Sequence, residues 1–163
     1  MRLNAISLAN YFVTLAKSNN VDLKQFGLIK RVYIAHGFSL AILERSVLDP
    51  RFDTVEAWKY GPVIPSVYHS FKHNQGNPIT EPSIIVTFDA PDNFGYEIPE
   101  LTDMSIKKIA DMVWNRYLGI KDSEMIELTH RPGTPWALCY EEGKSNSIPD
   151  YLTKAYYSKL IVK

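Results

Sequence analysis

The chain has 163 residues, 45% of them apolar and 22% charged, so one domain can bury a core without disulfides or bound metal. Its 18 basic and 18 acidic side chains cancel, so no overall field attracts nucleic acid or anionic lipid. No apolar run approaches the roughly 20 residues of a membrane span, the N-terminus lacks a secretory pattern, and the single cysteine, Cys139, excludes an internal disulfide. We therefore expect one cytoplasmic domain over residues 1–163.

Two helices are predicted in the first 45 residues. Apolar side chains at helical spacing predict an amphipathic helix over 4–17. Asp22, with Gln25 three residues later, is typical of a helix start, and predicts a long helix over 23–43. We place Phe26 in the apolar stripe of this helix.

The second helix also carries cations. Lys24, Lys30 and Arg31 lie on or near the face opposite the apolar stripe, where we expect a solvated surface. Two helices joined by a short polar turn also fit a DNA-binding helix-turn-helix, and that alternative remains less favoured because the net charge is zero.

Residues 56–71, Glu-Ala-Trp-Lys-Tyr-Gly-Pro-Val-Ile-Pro-Ser-Val-Tyr-His-Ser-Phe, combine aromatic side chains with rigid backbone. Gly61 before Pro62 predicts a turn or an extended segment. Pro65 fixes φ near the helical value, and predicts a short helix over 65–71. Aromatic residues gathered at such a turn indicate either a core or a recognition surface, and the residues alone do not decide between them.

The middle of the chain predicts a small antiparallel β element. Residues 74–82 are rich in Asn, Gly and Pro and predict a loop. The β-branched run over 83–88 predicts a strand, with residues 54–58 and 96–98 as candidate partners. Residues 46–105 carry 3 basic and 9 acidic side chains, which is typical of a solvated acidic loop, and a partner that used this region is expected to be basic.

Capping residues predict the helices of the second half. We expect helices from Thr102 or Asp103 to Gly119, from Ser123 to Leu128, from Pro135 to Glu142 with Thr134 as the cap, and from Pro149 onward.

Catalytic and metal-binding patterns are weak throughout. Ser66 and His69 have the helical spacing of a nucleophile and its base, but no orienting acid or Gly-Ser elbow accompanies them. Cys139 and His130 form a second candidate pair, in which Cys139 fits a buried apolar position better than a nucleophile. His69 and His73 are the one histidine pair at metal-ligand spacing, without a neighbouring glutamate. We expect no catalytic residues, metal or cofactor.

Three motifs carry a resemblance to a known family. They are Leu8-Ala9-Asn10-Tyr11-Phe12, the run Glu56-Ala57-Trp58-Lys59-Tyr60-Gly61-Pro62-Val63 with Pro65, Val67, Tyr68 and Phe71 after it, and Leu128-Thr129-His130 with Pro135-Trp136. Together they resemble the Panacea domain of SocA-like antitoxins. The central helix departs from the family pattern at residues 26–30, where members commonly have a leucine-rich Lys-Leu-Gln-Lys-Leu-like run.

The resemblance implies a mainly α (α+β) fold, a compact bundle of about six helices with a small antiparallel β element. It implies a non-enzymatic antitoxin that neutralises a cognate toxin by direct contact. Three alternatives remain: an adaptor that delivers the toxin to an ATP-dependent protease, a phage or mobile-element protein that acts on a host factor, and, less favoured, a DNA-binding repressor. The expected partner-binding residues are Trp58, Lys59, Tyr60, Gly61, Pro62, Val63, Tyr68, His69, Phe71, Thr129, His130 and Trp136.

Overall fold

A computed structural model describes residues 3–162, and in this part of the chain the fold is mainly α with two small antiparallel sheets. Seven α-helices are described, one more than expected. They are α1 Ala5–Ser18, α2 Gln25–Leu43, α3 Pro65–Phe71, α4 Met104–Arg116, α5 Asp122–His130, α6 Pro135–Cys139 and α7 Asp150–Ser158. The strands are β1 Glu56–Trp58, β2 Gly61–Val63, β3 Ile85–Ala90, β4 Asn93–Glu97 and β5 Asn146–Ser147, and a 3-10 turn covers Lys72–Asn74.

Helix α2 is the centre of the bundle and contacts α1, α4, α5 and α7. It is the one helix in residues 3–162 that is long and apolar enough to cross a membrane, but 78% of that stretch is buried inside the protein, as expected for a core helix. Gly37 brings α7 close, since a Cβ there would lie 2.2 Å from the Tyr157 ring. The ring of Tyr157 also packs edge-on against Phe38, with the centroids 5.0 Å apart.

The first helix begins as its sequence predicts, whereas the second does not. Asn4 caps α1 in a reciprocal capping box with Ser7. The expected cap of α2 at Asp22 is wrong, because the N-cap is Lys24 and its side chain makes no capping bond. The chain just before α2 stays extended because the Leu23 carbonyl accepts a hydrogen bond from the Ile79 amide at 2.8 Å.

The β element consists of two separate sheets. Strand β1 pairs with β2 and β5, and β3 pairs with β4. Of the two candidate partners for the strand predicted over 83–88, the segment near Tyr96 is the one that pairs with it, as β4. The other candidate, residues 54–58, is wrong, because β1 pairs with β2 and β5 instead. The reason is the turn after Trp58, where Gly61 has φ +110° and the chain folds straight back, so that Trp58 pairs with Gly61.

Several of the later helix ends differ from expectation: α4 ends at Arg116 and not at Gly119, and α5 extends to His130 and not only to Leu128. Asp103 caps α4 as predicted and accepts hydrogen bonds from Ser105 N at 3.0 Å and Ile106 N at 3.2 Å. The cap of α5 is Lys121 and not Ser123. Helix α6 ends at Cys139 and does not reach Glu142. The carbonyl of Cys139 instead accepts a hydrogen bond from Asn146 Nδ2 at 2.9 Å, which brings β5 toward β1.

Candidate functional site

The turn between β1 and β2, followed by α3, forms a rigid corner over residues 58–71. Gly61 occupies the tightest position, where φ +110° suits glycine and few other residues. A Cβ at this position would lie 3.1 Å from Lys30 Nζ and 3.2 Å from Thr129 Oγ1. The corner therefore rests directly on α2 and α5, and a side chain at Gly61 would have to displace Lys30 or Thr129.

Lys30 lies beneath the corner with its amine fully buried. Its Nζ donates a hydrogen bond to the Pro62 carbonyl at 2.8 Å, and its exposed fraction is 0%. Burial lowers the pKa of Lys30 to about 7, because an ammonium ion loses its hydration there. The expectation that this residue belongs to a solvated face is wrong.

Arg31 is also buried, contrary to expectation. Its guanidinium donates hydrogen bonds to the Gly27 carbonyl at 3.1 Å and to the Tyr117 carbonyl at 3.0 Å, and it lies 5.8 Å from the centre of the Trp114 ring. Of the three cations considered in α2 and its cap, Lys24 alone is exposed. The exposed basic surface on which a helix-turn-helix interpretation depended is therefore not present in this helix.

The two tryptophan motifs form one structure. Trp136 Nε1 donates a hydrogen bond to the Trp58 carbonyl at 2.6 Å. Thr129 donates to the carbonyl of Met125 at 2.9 Å, and the ring of His130 packs edge-on against Trp136 with the centroids 5.1 Å apart. The second tryptophan motif, which contains Thr129, His130 and Trp136, thus supports the corner from α5 and α6.

Burial divides the twelve expected partner-binding residues into three groups. Five are buried: Gly61, Pro62, Val63, Phe71 and Thr129. Four are half-buried: Trp58, Tyr68, His130 and Trp136. Three are exposed: Lys59, Tyr60 and His69. The first group shapes the corner from inside, and the third is accessible to another protein.

The exposed residues gain a neighbour that the sequence did not indicate. Phe26, expected in a buried stripe, is 41% exposed, and its ring packs edge-on against Tyr60 at 6.3 Å. Lys59 Nζ lies 5.5 Å from the centre of the Tyr60 ring, and His69 packs edge-on against Tyr68 at 5.1 Å. We call Phe26, Lys59, Tyr60 and His69 the corner surface. Only the fold brings Phe26 to this surface, so periodicity within α2 could not identify it.

Two of the four catalytic candidates, Ser66 and His130, make structural hydrogen bonds, and a third, Cys139, is a poor nucleophile. The Ser66 hydroxyl donates to Asp53 Oδ1 at 2.6 Å, and the other oxygen of Asp53 accepts from the amides of Ala5 and Asp49. Burial raises the pKa of the Cys139 thiol, which disfavours the thiolate that a nucleophile requires. His130 Nδ1 hydrogen-bonds to the Ile126 carbonyl.

Metal-ligating side chains do not gather in residues 3–162, where no group of three or more His, Cys, Asp or Glu could hold an ion. His69 and His73 therefore have no third metal-ligating side chain beside them among the described residues.

Both tryptophan motifs fall in a segment shared with known proteins. Residues 28–137 match the family model of the antitoxin SocA-like Panacea domain. The chain belongs to this family. It is also similar to Antitoxin SocA of Caulobacter vibrioides, with 27% identity over 134 residues that cover 82% of this chain and 69% of that protein. No solved structure matches.

The Panacea-domain match runs from α2 to α6, and it contains the corner, Lys30 and the supporting Trp136. It therefore includes the buried contacts that hold the two tryptophan motifs together, and three of the four residues of the corner surface. The match begins two residues after Phe26, the fourth residue of that surface.

Proposed function

We propose that this protein is an antitoxin that neutralises a cognate toxin, encoded nearby, by direct contact through the corner surface. Membership of the SocA-like family supports the antitoxin role. The observation that carries the choice of surface is an exposed aromatic pair, Phe26 and Tyr60, beside the exposed Lys59 on an immobile turn. Aromatic residues dominate binding energy at protein interfaces because they bury large areas with few rotatable bonds.

Rigidity of the corner supports this assignment. Lys30 holds the Pro62 carbonyl and Trp136 holds the Trp58 carbonyl, so the backbone on both sides of Tyr60 is fixed before any partner arrives. A surface that is already ordered loses less entropy on binding, and more of its contact energy appears as affinity.

Binding without catalysis is part of the proposal. The Ser66 hydroxyl is engaged with Asp53, and the raised pKa of Cys139 keeps its thiol protonated. We place the protein in the cytoplasm, where an antitoxin meets its toxin.

A co-expression experiment tests the corner surface. Cells induced for the neighbouring reading frame are scored for survival with wild-type protein, with Tyr60→Ala/His69→Ala, or with Tyr151→Ala. Tyr151 in α7 is 71% exposed and Tyr60 is 53% exposed, so Tyr151→Ala is a matched surface control. We expect wild type and the control to rescue growth and to co-purify with the toxin, and the double variant to lose both.

The outcomes separate the remaining mechanisms. Rescue by a folded Tyr60→Ala/His69→Ala protein contradicts the corner surface while leaving an antitoxin role intact. Rescue that requires an ATP-dependent protease, with loss of the toxin protein, points to an adaptor. A neighbouring frame that is not toxic contradicts the antitoxin proposal itself.

A further inference from the structure

The β3–β4 hairpin presents its large apolar side chains to solvent. In its register Val86 lies opposite Tyr96 and Phe88 lies opposite Phe94, so these four side chains share one face. Their exposed fractions are 62% for Val86, 64% for Phe88, 67% for Phe94 and 75% for Tyr96. Ile84 and Ile98, just outside the two strands at the base of the hairpin, are also exposed.

The opposite face carries one large apolar side chain, Ile85, with a threonine, a glycine and a glutamate. Thr87 lies opposite Gly95, and Ile85 lies opposite Glu97, and all four are half-buried. A sheet that packs on its own core normally turns its large apolar side chains inward and its polar ones outward. This hairpin does the reverse at its centre, and contiguous exposed apolar side chains of this kind indicate a surface that another molecule covers.

Charge restricts what that molecule can be. No lysine or arginine occurs between Lys72 and Lys107, and the intervening residues contain six carboxylates: Glu81, Asp89, Asp92, Glu97, Glu100 and Asp103. Asp103 pairs with Arg45, and the other five lie on or beside the hairpin. Carboxylates repel phosphate groups, which disfavours an anionic bilayer or a nucleic acid, and a second copy would bring two sets of these carboxylates together.

The strands also have backbone groups available for pairing. The sheet formed by β3 and β4 has two strands, so each of them is an edge in the described structure. A two-stranded sheet is marginally stable in water, and an added strand satisfies the free amides and carbonyls of an edge. An extended peptide can therefore both pair with the hairpin and pack on its apolar face.

The base of the hairpin is held in place by one buried side chain of α1. Asn10 Nδ2 donates to the Ser83 carbonyl at 3.0 Å and to the Pro99 carbonyl at 2.9 Å. Its Oδ1 accepts from Ser83 N at 2.8 Å. Both ends of the hairpin are thus fixed to the bundle, so the apolar face projects from a defined position.

We propose that the β3–β4 hairpin is a second docking surface, which binds an extended, basic and apolar segment of a partner protein. Apolar side chains of the segment cover Val86, Phe88, Phe94 and Tyr96, and its lysines or arginines face the surrounding carboxylates. The proposal concerns a surface separate from the corner surface and requires no toxin for its test.

Selection from a random library of short peptides displayed on phage tests this proposal. The library is passed over the wild-type protein after depletion on Phe88→Ser/Phe94→Ser. The best peptide is then synthesised with a fluorescent label, and its anisotropy is titrated with each protein at low and high salt. We expect enriched peptides with a net positive charge and alternating apolar residues, whose binding weakens by at least about tenfold in Phe88→Ser/Phe94→Ser.

Two further variants make the titration specific. Leu138→Ser/Tyr151→Ser removes two side chains that are 68% and 71% exposed elsewhere, and we expect it to bind as wild type does. Asp89→Asn/Asp92→Asn keeps the apolar face, and we expect weaker binding with a smaller salt dependence. Circular dichroism verifies that each variant is folded.

Several results overturn the proposal. These are enrichment of neutral or acidic peptides, no enrichment that depends on the hairpin, and equal binding by Phe88→Ser/Phe94→Ser. A concentration-dependent dimer that this variant abolishes would identify a second copy as the occupant. Hairpin-dependent binding to anionic vesicles would identify a bilayer. None of these results bears on toxin neutralisation through the corner surface, so the two proposals fail independently.

Discussion

The corner and the β3–β4 hairpin both concentrate aromatic residues, but the corner buries or half-buries all of its Phe, Trp and Tyr rings except Tyr60, whereas the hairpin exposes its rings. At the corner, Phe71 is fully buried and Trp58 packs edge-on against Tyr68 at 5.0 Å, over a buried lysine. On the hairpin, Phe88 and Phe94 are each about two-thirds exposed. Aromatic content alone therefore does not distinguish a packed element from a binding surface.

The two regions also differ in how they join the rest of the protein. The corner is held by α2, α5 and α6 through Lys30, Thr129 and Trp136. The hairpin is held at its base by hydrogen bonds from Asn10. We expect the corner to unfold only with the whole domain, and the hairpin to open separately.

The largest effect is expected for Gly61→Ala. The strained φ and the close approach of Lys30 Nζ together are expected to lower the free energy of unfolding by about 3 kcal/mol. Thermal and urea unfolding measure this loss of free energy of unfolding. Gly143→Ala is the control, because φ is +77° there but no atom lies within 4 Å of the added Cβ, and a loss of about 1 kcal/mol is expected from strain alone. Equal losses would show that contact with Lys30 contributes nothing.

The next effect is a pH dependence that comes from Lys30. Its folded pKa of about 7 lies below the unfolded value of about 10.4, so the unfolded chain binds more protons between these values and stability rises with pH. We expect wild type to gain about 2 kcal/mol over Lys30→Met between pH 7 and pH 9. Urea unfolding at several pH values measures this difference. Parallel curves for the two proteins would contradict a neutral buried amine.

A smaller global effect is expected for Asn10→Ala, although the substitution removes three buried hydrogen bonds. Because the hairpin can separate from the bundle, the loss in unfolding free energy should be about 1 to 2 kcal/mol. Hydrogen exchange should show faster exchange in β3 and β4 and unchanged exchange in β1 and β2. Asn19→Ala, at the exposed end of α1, is the control. Faster exchange at the corner would mean that the two regions open together.

The smallest effect is expected for Phe88→Ser/Phe94→Ser. These side chains are exposed, so the free energy of unfolding should change by less than about 0.5 kcal/mol. Solubility should rise because an exposed apolar surface becomes polar. Urea unfolding and light scattering measure the two quantities. A loss above about 1 kcal/mol would show that the rings pack against the protein itself.

Local features of the fold followed from the sequence. Pro65 predicted a helix over residues 65–71, and the structure has it at Pro65–Phe71. Asp103 and Thr134 cap the helices that follow them. These predictions succeed because a cap or a first-turn proline acts within three or four residues of itself.

Features that depend on distant partners did not follow. A lysine on a helix is normally exposed, so the sequence predicted an exposed Lys30. Its burial depends on the Pro62 carbonyl, which lies 32 residues further along the chain. Two residues form β5, Asn146–Ser147, which is too short for any alternation to mark it. The strand over 83–88 was predicted. Alternation along a strand shows which side chains share a face, but it does not show which face meets solvent when β3 and β4 pair with each other alone.

The bridge made by Asn10 has a consequence for how the chain can be altered. Because one side chain of α1 joins Ser83 to Pro99, the residues between them form a closed loop whose two ends are fixed whatever the loop contains. We therefore expect such a loop to tolerate lengthening, shortening or replacement by another hairpin without movement of the helices. We expect it to behave as an exchangeable cassette, so that hairpins from other proteins grafted between these two positions give the same scaffold new binding specificities.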